Sequence, residues 1–163
     1  AVLKGNLDLA MSVFDSNTNA YELDKIARRP IQERGLDYNH GTGHGVGHIL
    51  SVHEGPNTIS KRNHISRIEP GMITSDEPGV YLEGKYGIRL ENEILCENRE
   101  DGKRVFEVLT LCPFDREAIL PDRLTDEEKT FLNAYHKRVY NMLKDYLSEE
   151  ERQWLKKQTD RIE

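Results

Sequence analysis

The sequence predicts an α+β protein, and three patterns along the chain indicate this class. Apolar residues recur at helical spacing before residue 35 and after residue 122, whereas residues 68–120 alternate like strands between proline and glycine turns. A length of 163 residues suits one domain with a full hydrophobic core. We expect strands flanked by helices in residues 1–121, with residues 122–163 forming a helical extension packed on this part.

Two amphipathic helices are predicted at the start of the chain. The apolar residues of the first are Leu3, Leu7, Ala10 and Phe14. Asn19 followed by Glu22 is typical of a helix cap, so a second helix should run from there to Gly35, with a kink at Pro30. The chain begins at Ala1 inside the first apolar pattern, without Met, which favours an excised fragment or a processed end.

Short strands are predicted in the middle of the chain, at residues 49–52, 72–75, 85–95, 105–111 and 118–120. Pro78 and Gly79 occupy the central positions expected of a type II turn directly after Glu77. Glu91 lies in an otherwise apolar strand, where a carboxylate is costly to bury unless it pairs with Arg89 or binds a cation. Both alternatives for Glu91 stay open on this pattern.

The C-terminal tail predicts two capped helices. Thr125 with Glu128, and Ser148 with Glu151, have the spacing of capping boxes. The apolar stripe expected on the first of these helices consists of Phe131, Tyr135, Val139, Met142 and Tyr146. Trp154 and Leu155 are expected to anchor the second helix.

The composition excludes several classes of protein. A formal net charge of -6 argues against a nucleic-acid partner, because phosphate binding requires a basic surface. No apolar run is long enough to span a membrane, and no signal peptide opens the chain. Cys96 and Cys112 lie in apolar surroundings, so we expect buried free thiols and a reducing, cytoplasmic location.

Residues 40–56 contain four of the six histidines, with glycine at positions 41, 43, 45 and 47. The spacing matches neither a dinucleotide-binding loop nor a helical zinc motif. As a helix, four glycines would cost roughly 4 kcal/mol relative to alanine, so an extended or looped backbone is expected. Residues four apart in an extended backbone are separated by about 13 Å, so at most one of His40, His44 and His48 can ligate a given metal ion. The glycines would let another group, such as a substrate, approach the backbone closely.

Four segments resemble the catalytic half of the Xaa-Pro aminopeptidases (aminopeptidase P), which are pita-bread metallopeptidases. They are HGTGHGVGH at residues 40–48, VHEGP at 52–56, TSDEPG at 74–79 and GIRLEN at 87–92. The order also matches, since Glu77 lies 33 residues after His44 and 14 before Glu91. The similarity continues into the helical tail, so it covers nearly the whole chain. It implies part of a pita-bread fold, with a mostly antiparallel, curved sheet flanked by helices in residues 1–121.

The resemblance implies a site with two divalent metal ions that hydrolyses the bond between an N-terminal residue and a following proline. His44 would ligate one metal ion, Glu91 would bridge both, and Glu77 would ligate a metal ion and act as the general base. Oxygen ligands with a single imidazole suit Mn²⁺. Water activation and carbonyl polarisation by two such ions suit amide hydrolysis.

The same resemblance assigns supporting roles to three further residues. His40 and His53 would flank the site, contact the substrate, and stabilise the developing oxyanion or carry protons, and Arg89 would orient the carboxylates. The resemblance assigns no catalytic or binding role to the other three histidines. We expect a structural role for His48 and surface positions for His64 and His136.

The family's site has two more ligands, both aspartates on strands well upstream of His44. The aspartates available here, Asp8, Asp15, Asp24 and Asp37, lie in helix, turn or loop patterns. With three of five ligands, we expect the chain alone to bind metal weakly and to have negligible peptidase activity. Its expected partners are an N-terminal part of the same protein, a peptide with proline at the second position, and, through an exposed sheet edge, a second copy in a homodimer.

Two other functions remain open. One is a proline dipeptidase of the same fold, and the other is a non-catalytic pita-bread module that binds peptides or proteins. The joint presence of His44, Glu77 and Glu91 argues against the second, because a binding module has no need of metal ligands.

Overall fold

The computed structural model describes residues 1–163, which form two compact units, residues 1–110 and 111–163. The predicted combination of antiparallel sheets with flanking helices is confirmed. None of the helices combines the length and the apolar character needed to cross a bilayer. The predicted division into residues 1–121 and 122–163 stays a prediction.

Two helices open the first unit, α1 (Val2–Ala10) and α2 (Ala20–Gln32). They pack closely because Gly5 lacks a side chain: a Cβ atom there would lie 2.2 Å from the Ala27 carbonyl oxygen. The predicted cap is confirmed, since the Asn19 side chain accepts a hydrogen bond from the Glu22 backbone N–H at 3.0 Å. Helix α1 ends before Phe14, which instead forms an isolated antiparallel bridge with Arg104.

Seven short strands follow and form three antiparallel sheets. The first pairs β1 (Gly43–His44) with β2 (Thr58–Ile59). The second has the order β3 (Ile73–Asp76), β6 (Asn92–Asn98), β7 (Arg104–Val108). The third is a hairpin of β4 (Gly79–Leu82) and β5 (Tyr86–Arg89).

The chain crosses from the second sheet to the third and later crosses back, and both crossings lie between the same two residue pairs. Asp76 pairs with Asn92 in the second sheet, and Gly79 pairs with Arg89 in the third. Residues 77–78 and 90–91 are the two crossings between these pairs. The single strand predicted over 85–95 was therefore wrong, because the chain changes sheets in its middle. The predicted type II turn was also wrong: Gly79 begins β4 without the positive φ that this turn requires.

Other local predictions also failed. Residues 49–52 form no strand; Ile49 and Leu50 are exposed, and Leu50 has a φ of 58°. Residues 118–120 form no strand either, because the chain there closes a 3₁₀ turn, Arg116–Ala118. Of the two thiols predicted to be buried, Cys96 is buried and Cys112 is exposed.

The core of the first unit joins the two helices to the hairpin. Val2, Ile31, Tyr38 and Val80 form one buried cluster, and Leu36, Leu82 and Leu90 pack against it. Burial of such apolar side chains is the main stabilising contribution to the unit.

The second unit consists of α3 (Asp126–Leu143) and α4 (Glu149–Gln158) with the segment that precedes them. Both capping boxes are confirmed, at Thr125 and at Ser148. The predicted stripe was partly wrong: Tyr135 and Val139 are buried, whereas Met142 and Tyr146 are exposed.

Two further expectations about this unit need correction. His136 is fully buried in α3, against the expected surface position. In α4 only Leu155 is buried, whereas Trp154 is 57% exposed.

Candidate metal centre

Three potential metal ligands meet where the chain crosses between the sheets. Each of His44, Glu77 and Glu91 offers one ligand atom, and these atoms lie within 4.8 Å of one another. Strand β1 carries His44, and the two crossings carry Glu77 and Glu91. One imidazole nitrogen and two carboxylates form a donor set that fits a divalent cation.

Ser75 fixes the relative position of two members of this group. Its hydroxyl donates a hydrogen bond to Glu77 Oε1 at 2.9 Å and accepts one from the His44 backbone N–H at 2.9 Å. The His44 Nε2 atom lies 3.5 Å from the same Glu77 oxygen.

The tautomer of His44 follows from its other ring nitrogen. Nδ1 lies 3.0 Å from the Gly45 carbonyl oxygen, which can only accept, so Nδ1 carries the proton. The His53 backbone N–H also points at Nδ1, but at 3.4 Å this is the weaker contact. In the neutral ring Nε2 therefore carries the lone pair that faces the two carboxylates, as a metal ligand requires.

An ion pair and two hydrogen bonds link the Glu77 carboxylate to His40. Arg89 Nη1 lies 3.8 Å from Glu77 Oε2, and Arg89 Nε donates to the Tyr81 hydroxyl at 2.8 Å. The Tyr81 hydroxyl lies 2.8 Å from His40 Nε2. His40 Nδ1 donates to the Gly41 carbonyl at 2.7 Å, so in the neutral ring Nε2 accepts from Tyr81. The bond to Tyr81 is also the main cause that raises the pKa of Arg89.

Sequence reasoning missed Tyr81. Its ring lies over two glycines of the hairpin: a Cβ atom at Gly79 would lie 2.5 Å from the Tyr81 hydroxyl, and one at Gly87 would lie 2.9 Å from the ring. The sequence did contain a signal, because glycines precede and follow Tyr81 at positions 79 and 87. This signal can be interpreted only when the pairing of Tyr81 with Gly87 is known.

The other histidines of the segment lie at the edge of the group. The His53 ring packs edge-on against His44 with ring centroids 4.4 Å apart, and its backbone has a φ of 56°. His48 is exposed and lies outside the three-ligand group. Of the three histidines spaced four apart, the group contains only His44.

Two more carboxyl groups lie close to the ligands. Both oxygens of Asp76 are buried without a hydrogen-bond partner, and burial with the nearby Glu77 and Glu91 carboxylates raises its pKa well above the usual range. Burial, followed by the charge of Glu91, also raises the pKa of Glu93. Glu93 lines a cavity of about 540 Å³ beside the group, within the size range of ligand pockets.

The glycines of residues 43–47 face the protein's own chain. A Cβ atom at Gly43 would lie 1.8 Å from the Ser75 carbonyl oxygen, and one at Gly45 would lie 1.9 Å from the Glu54 carbonyl oxygen. At Gly47 the neighbour is the Glu54 carboxylate at 2.2 Å. The expected close approach is therefore real, but at these three positions it is made by neighbouring segments and leaves no room for a substrate.

The four upstream aspartates are engaged elsewhere. Their ion pairs are Asp8 with Arg29, Asp15 with Lys103, Asp24 with Arg28, and Asp37 with Arg28 and Lys61. None of them joins the three-ligand group.

Two family models together match most of the chain. Residues 1–98 match metallopeptidase family M24, and residues 105–162 match the C-terminal region of peptidase M24. Aminopeptidase P1 of Lotus japonicus is 41% identical over 170 residues, which cover 99% of this chain and 26% of the relative. The chain thus spans about a quarter of that relative's length.

Solved structures show the same relationship. The crystal structure of X-prolyl aminopeptidase from Caenorhabditis elegans, described as a cytosolic enzyme with a di-nuclear active site, matches 99% of this chain and 28% of its own. The TM-score is 0.91 and the sequence identity 35%. Xaa-Pro dipeptidase from Bacillus anthracis matches 70% of this chain and 30% of its own, with a TM-score of 0.57 and 33% identity. The similarity to Xaa-Pro aminopeptidases inferred from the four motifs is confirmed, and the chain belongs to metallopeptidase family M24.

Proposed function

We propose that this chain contributes the C-terminal part of the catalytic domain of a dinuclear-metal Xaa-Pro aminopeptidase. The observation that carries the proposal is the convergence of His44, Glu77 and Glu91 within 4.8 Å at the crossing between two sheets. Hydrolysis would occur between an N-terminal residue and a following proline, the substrate class in the names of the relatives.

The donor set supports divalent metal ions, and we propose Mn²⁺ because carboxylate oxygens with a single imidazole suit a borderline-hard ion. Ions held there would polarise the scissile carbonyl and lower the pKa of a water nucleophile. His44 would bind through Nε2, the nitrogen that carries the lone pair in the neutral ring when Nδ1 donates to the Gly45 carbonyl. Glu91 would bridge the two ions.

The remaining roles follow from the contacts of each side chain. Glu77 would act as ligand and general base, because Ser75 holds one of its oxygens and Arg89 lies beside the other. His40 would contact the substrate or stabilise the oxyanion through a ring oriented by Tyr81. His53, packed edge-on against His44, would contact the substrate on the other flank.

A proline dipeptidase is the second candidate, because the Bacillus anthracis dipeptidase shares the fold over 70% of the chain. The aminopeptidase is favoured by the higher TM-score over 99% of the chain. Comparing the hydrolysis of Xaa-Pro dipeptides with that of Xaa-Pro-Xaa tripeptides by the full-length protein separates the two. Efficient cleavage of dipeptides alone would favour the dipeptidase.

For the chain by itself we propose weak metal binding and negligible peptidase activity, since the group provides three ligands. Calorimetric titration with Mn²⁺ tests this. We expect a single weak site whose affinity falls at least about 10-fold in Glu77→Gln and Glu91→Gln, because each change removes a charged ligand.

Glu97→Gln is the matched control, since Glu97 lies exposed on β6 outside the group and its loss should leave the affinity unchanged. Two tight sites per chain, or turnover of a Xaa-Pro peptide by residues 1–163, would contradict the proposal. Equal affinities in all three variants would show that the ion binds elsewhere.

A further inference from the structure

A buried ion pair in α2 lies behind the histidine segment. The side chains of Arg28 and Asp24 are 2% and 1% exposed. Arg28 donates from Nε and Nη2 to the two oxygens of Asp24, at 2.8 and 2.7 Å. Removing two charges from water costs several kcal/mol, which a buried pair often fails to recover, so stability alone is a weak reason for its presence.

The same guanidinium holds the loop that leads into the histidine segment. Arg28 Nη1 donates to Asp37 Oδ1 at 2.7 Å and to the Tyr38 carbonyl at 2.8 Å, and Nη2 donates to the His40 carbonyl at 3.4 Å. Its plane also stacks on the Tyr38 ring, 3.7 Å from the centroid. Arg28 therefore fixes the backbone of residues 38–40 directly.

Thr42 connects this pair to both ligand-bearing segments. Its hydroxyl donates to Asp24 Oδ1 at 2.6 Å, so it must accept from the Tyr38 hydroxyl, also at 2.6 Å. Its backbone N–H donates to the Ile59 carbonyl at 2.8 Å, and its carbonyl accepts from the Glu77 N–H at 2.8 Å. A fully buried threonine two residues before His44 is thus bonded to Glu77.

We propose that Asp24, Arg28 and Thr42 are positioning residues that set the distance between His44 and Glu77. Asp24 orients the Thr42 hydroxyl, and Arg28 holds both Asp24 and the preceding loop. The Thr42 backbone then holds Glu77 at a fixed place relative to β1. The metal-binding role of His44 and Glu77 rests on the proposed function, but the positioning of these two residues can be tested without metal.

The first test measures amide hydrogen exchange in the metal-free chain. Thr42→Val keeps the shape of the side chain and removes the hydroxyl, whereas Thr42→Ser keeps the hydroxyl. We expect Thr42→Val to raise the exchange rate of the Glu77 amide at least about 10-fold relative to the Cys96 amide, which bonds to Met72 in the same unit. Thr42→Ser should restore protection to within about threefold of the wild type.

The second test compares Mn²⁺ affinity in two arginine variants. Arg28→Lys keeps the charge but loses the forked geometry. Arg104→Lys is the matched control, because Arg104 is also buried, at 8% exposure, and bonds to the Ile68 carbonyl and Glu69, away from residues 37–44. We expect about a 10-fold loss of affinity in Arg28→Lys and less than about twofold in Arg104→Lys, with urea midpoints measured for both.

The outcomes separate this inference from the proposed function. Unchanged relative exchange of the Glu77 amide in Thr42→Val, or equal loss of affinity in the two arginine variants, would overturn the positioning role. If the wild type binds no Mn²⁺, the proposed metal centre fails, and the exchange comparison alone decides the inference. If Arg28→Lys does not fold, the Thr42→Val and Thr42→Ser pair decides it.

Discussion

Acidification should destabilise the C-terminal unit through a single buried histidine. Burial, with Arg116 nearby, lowers the pKa of His136 from 6.5 to about 4. The Phe114 backbone N–H donates to His136 Nε2 at 3.2 Å, and the buried Nδ1 has no partner. Protonation of Nε2 would remove the acceptor of this bond and place a charge in the core.

The sign and size of the effect follow from linkage. The unfolded chain binds the proton near pH 6.5 and the folded chain only near pH 4, so the stability due to neutral His136 is complete above pH 6.5. It is lost as the pH falls toward 4. Each pKa unit corresponds to about 1.4 kcal/mol, so the loss amounts to about 3 kcal/mol of unfolding free energy.

Urea unfolding between pH 7.5 and 4 tests this value in the wild type and in His136→Gln. The glutamine carbonyl can accept from Phe114 without titrating, so the difference between the two proteins isolates His136. Trp154 is the only tryptophan and lies in the unit of residues 111–163, so its fluorescence follows that unit. His64→Gln, at an exposed histidine of the other unit, should leave the Trp154 transition unchanged. A difference that stays constant from pH 7.5 to 4 would refute the reasoning.

Three further changes test close contacts and a buried carboxyl group in the first unit. Gly43→Ala should lower the unfolding free energy by about 3 kcal/mol in urea titrations, because its Cβ atom would lie 1.8 Å from the Ser75 carbonyl oxygen. Gly5→Ala should lower the melting temperature, because its Cβ atom would lie 2.2 Å from the Ala27 carbonyl oxygen and would force α1 away from α2. Asp76→Asn should stabilise the chain in EDTA by about 1 kcal/mol, because the amide cannot ionise in this buried position beside Glu77 and Glu91.

Each of these changes has a clear opposing result. Gly55→Ala is the control for the glycine variants, since nothing lies within 4 Å of its Cβ position and its stability should change little. Equal losses in Gly55→Ala and Gly43→Ala would show that the close contact with the Ser75 carbonyl does not set the effect, because Gly→Ala by itself lowers the entropy of the unfolded chain and favours folding. A lower urea midpoint for Asp76→Asn would mean that the Asp76 carboxyl is stabilising in the metal-free chain.

The features predictable from sequence are those set by neighbours in the chain. The caps at Asn19, Thr125 and Ser148 depend on residues three positions away, and all three form as predicted. The helices that follow them were therefore located well, whereas the end of α1 was not. Phe14 continues the helical spacing but pairs with Arg104, ninety residues later, as an isolated bridge.

The features that failed depend on distant contacts. The apolar stripe predicted on α3 includes Tyr135 and Val139 but omits His136, which is buried. Phe114 and the other buried residues of this unit determine which face of the helix is covered. Residues 49–52 have a strand-like pattern but no partner strand, and without a ladder of hydrogen bonds the pattern has no structural effect.

The candidate site shows the same division. The convergence of His44, Glu77 and Glu91 was expected from resemblance to a family, since nothing in their spacing brings them together. Tyr81 was not found, because its contact with His40 exists only once the hairpin has its register. The Thr42 connection likewise needs α2, the loop and the Glu77 segment to meet.

The two crossings between the second and third sheets have a consequence for errors in strand alignment. Glu77 and Glu91 both lie in the short gap between the Asp76–Asn92 pair and the Gly79–Arg89 pair. A slip of either strand by one residue would turn the affected carboxylate to the opposite side. Because the two pairs bracket the gap from both ends, such a slip must break the ladders of both sheets at once. The alignment of these strands is thus protected where a misplaced side chain would remove a metal ligand.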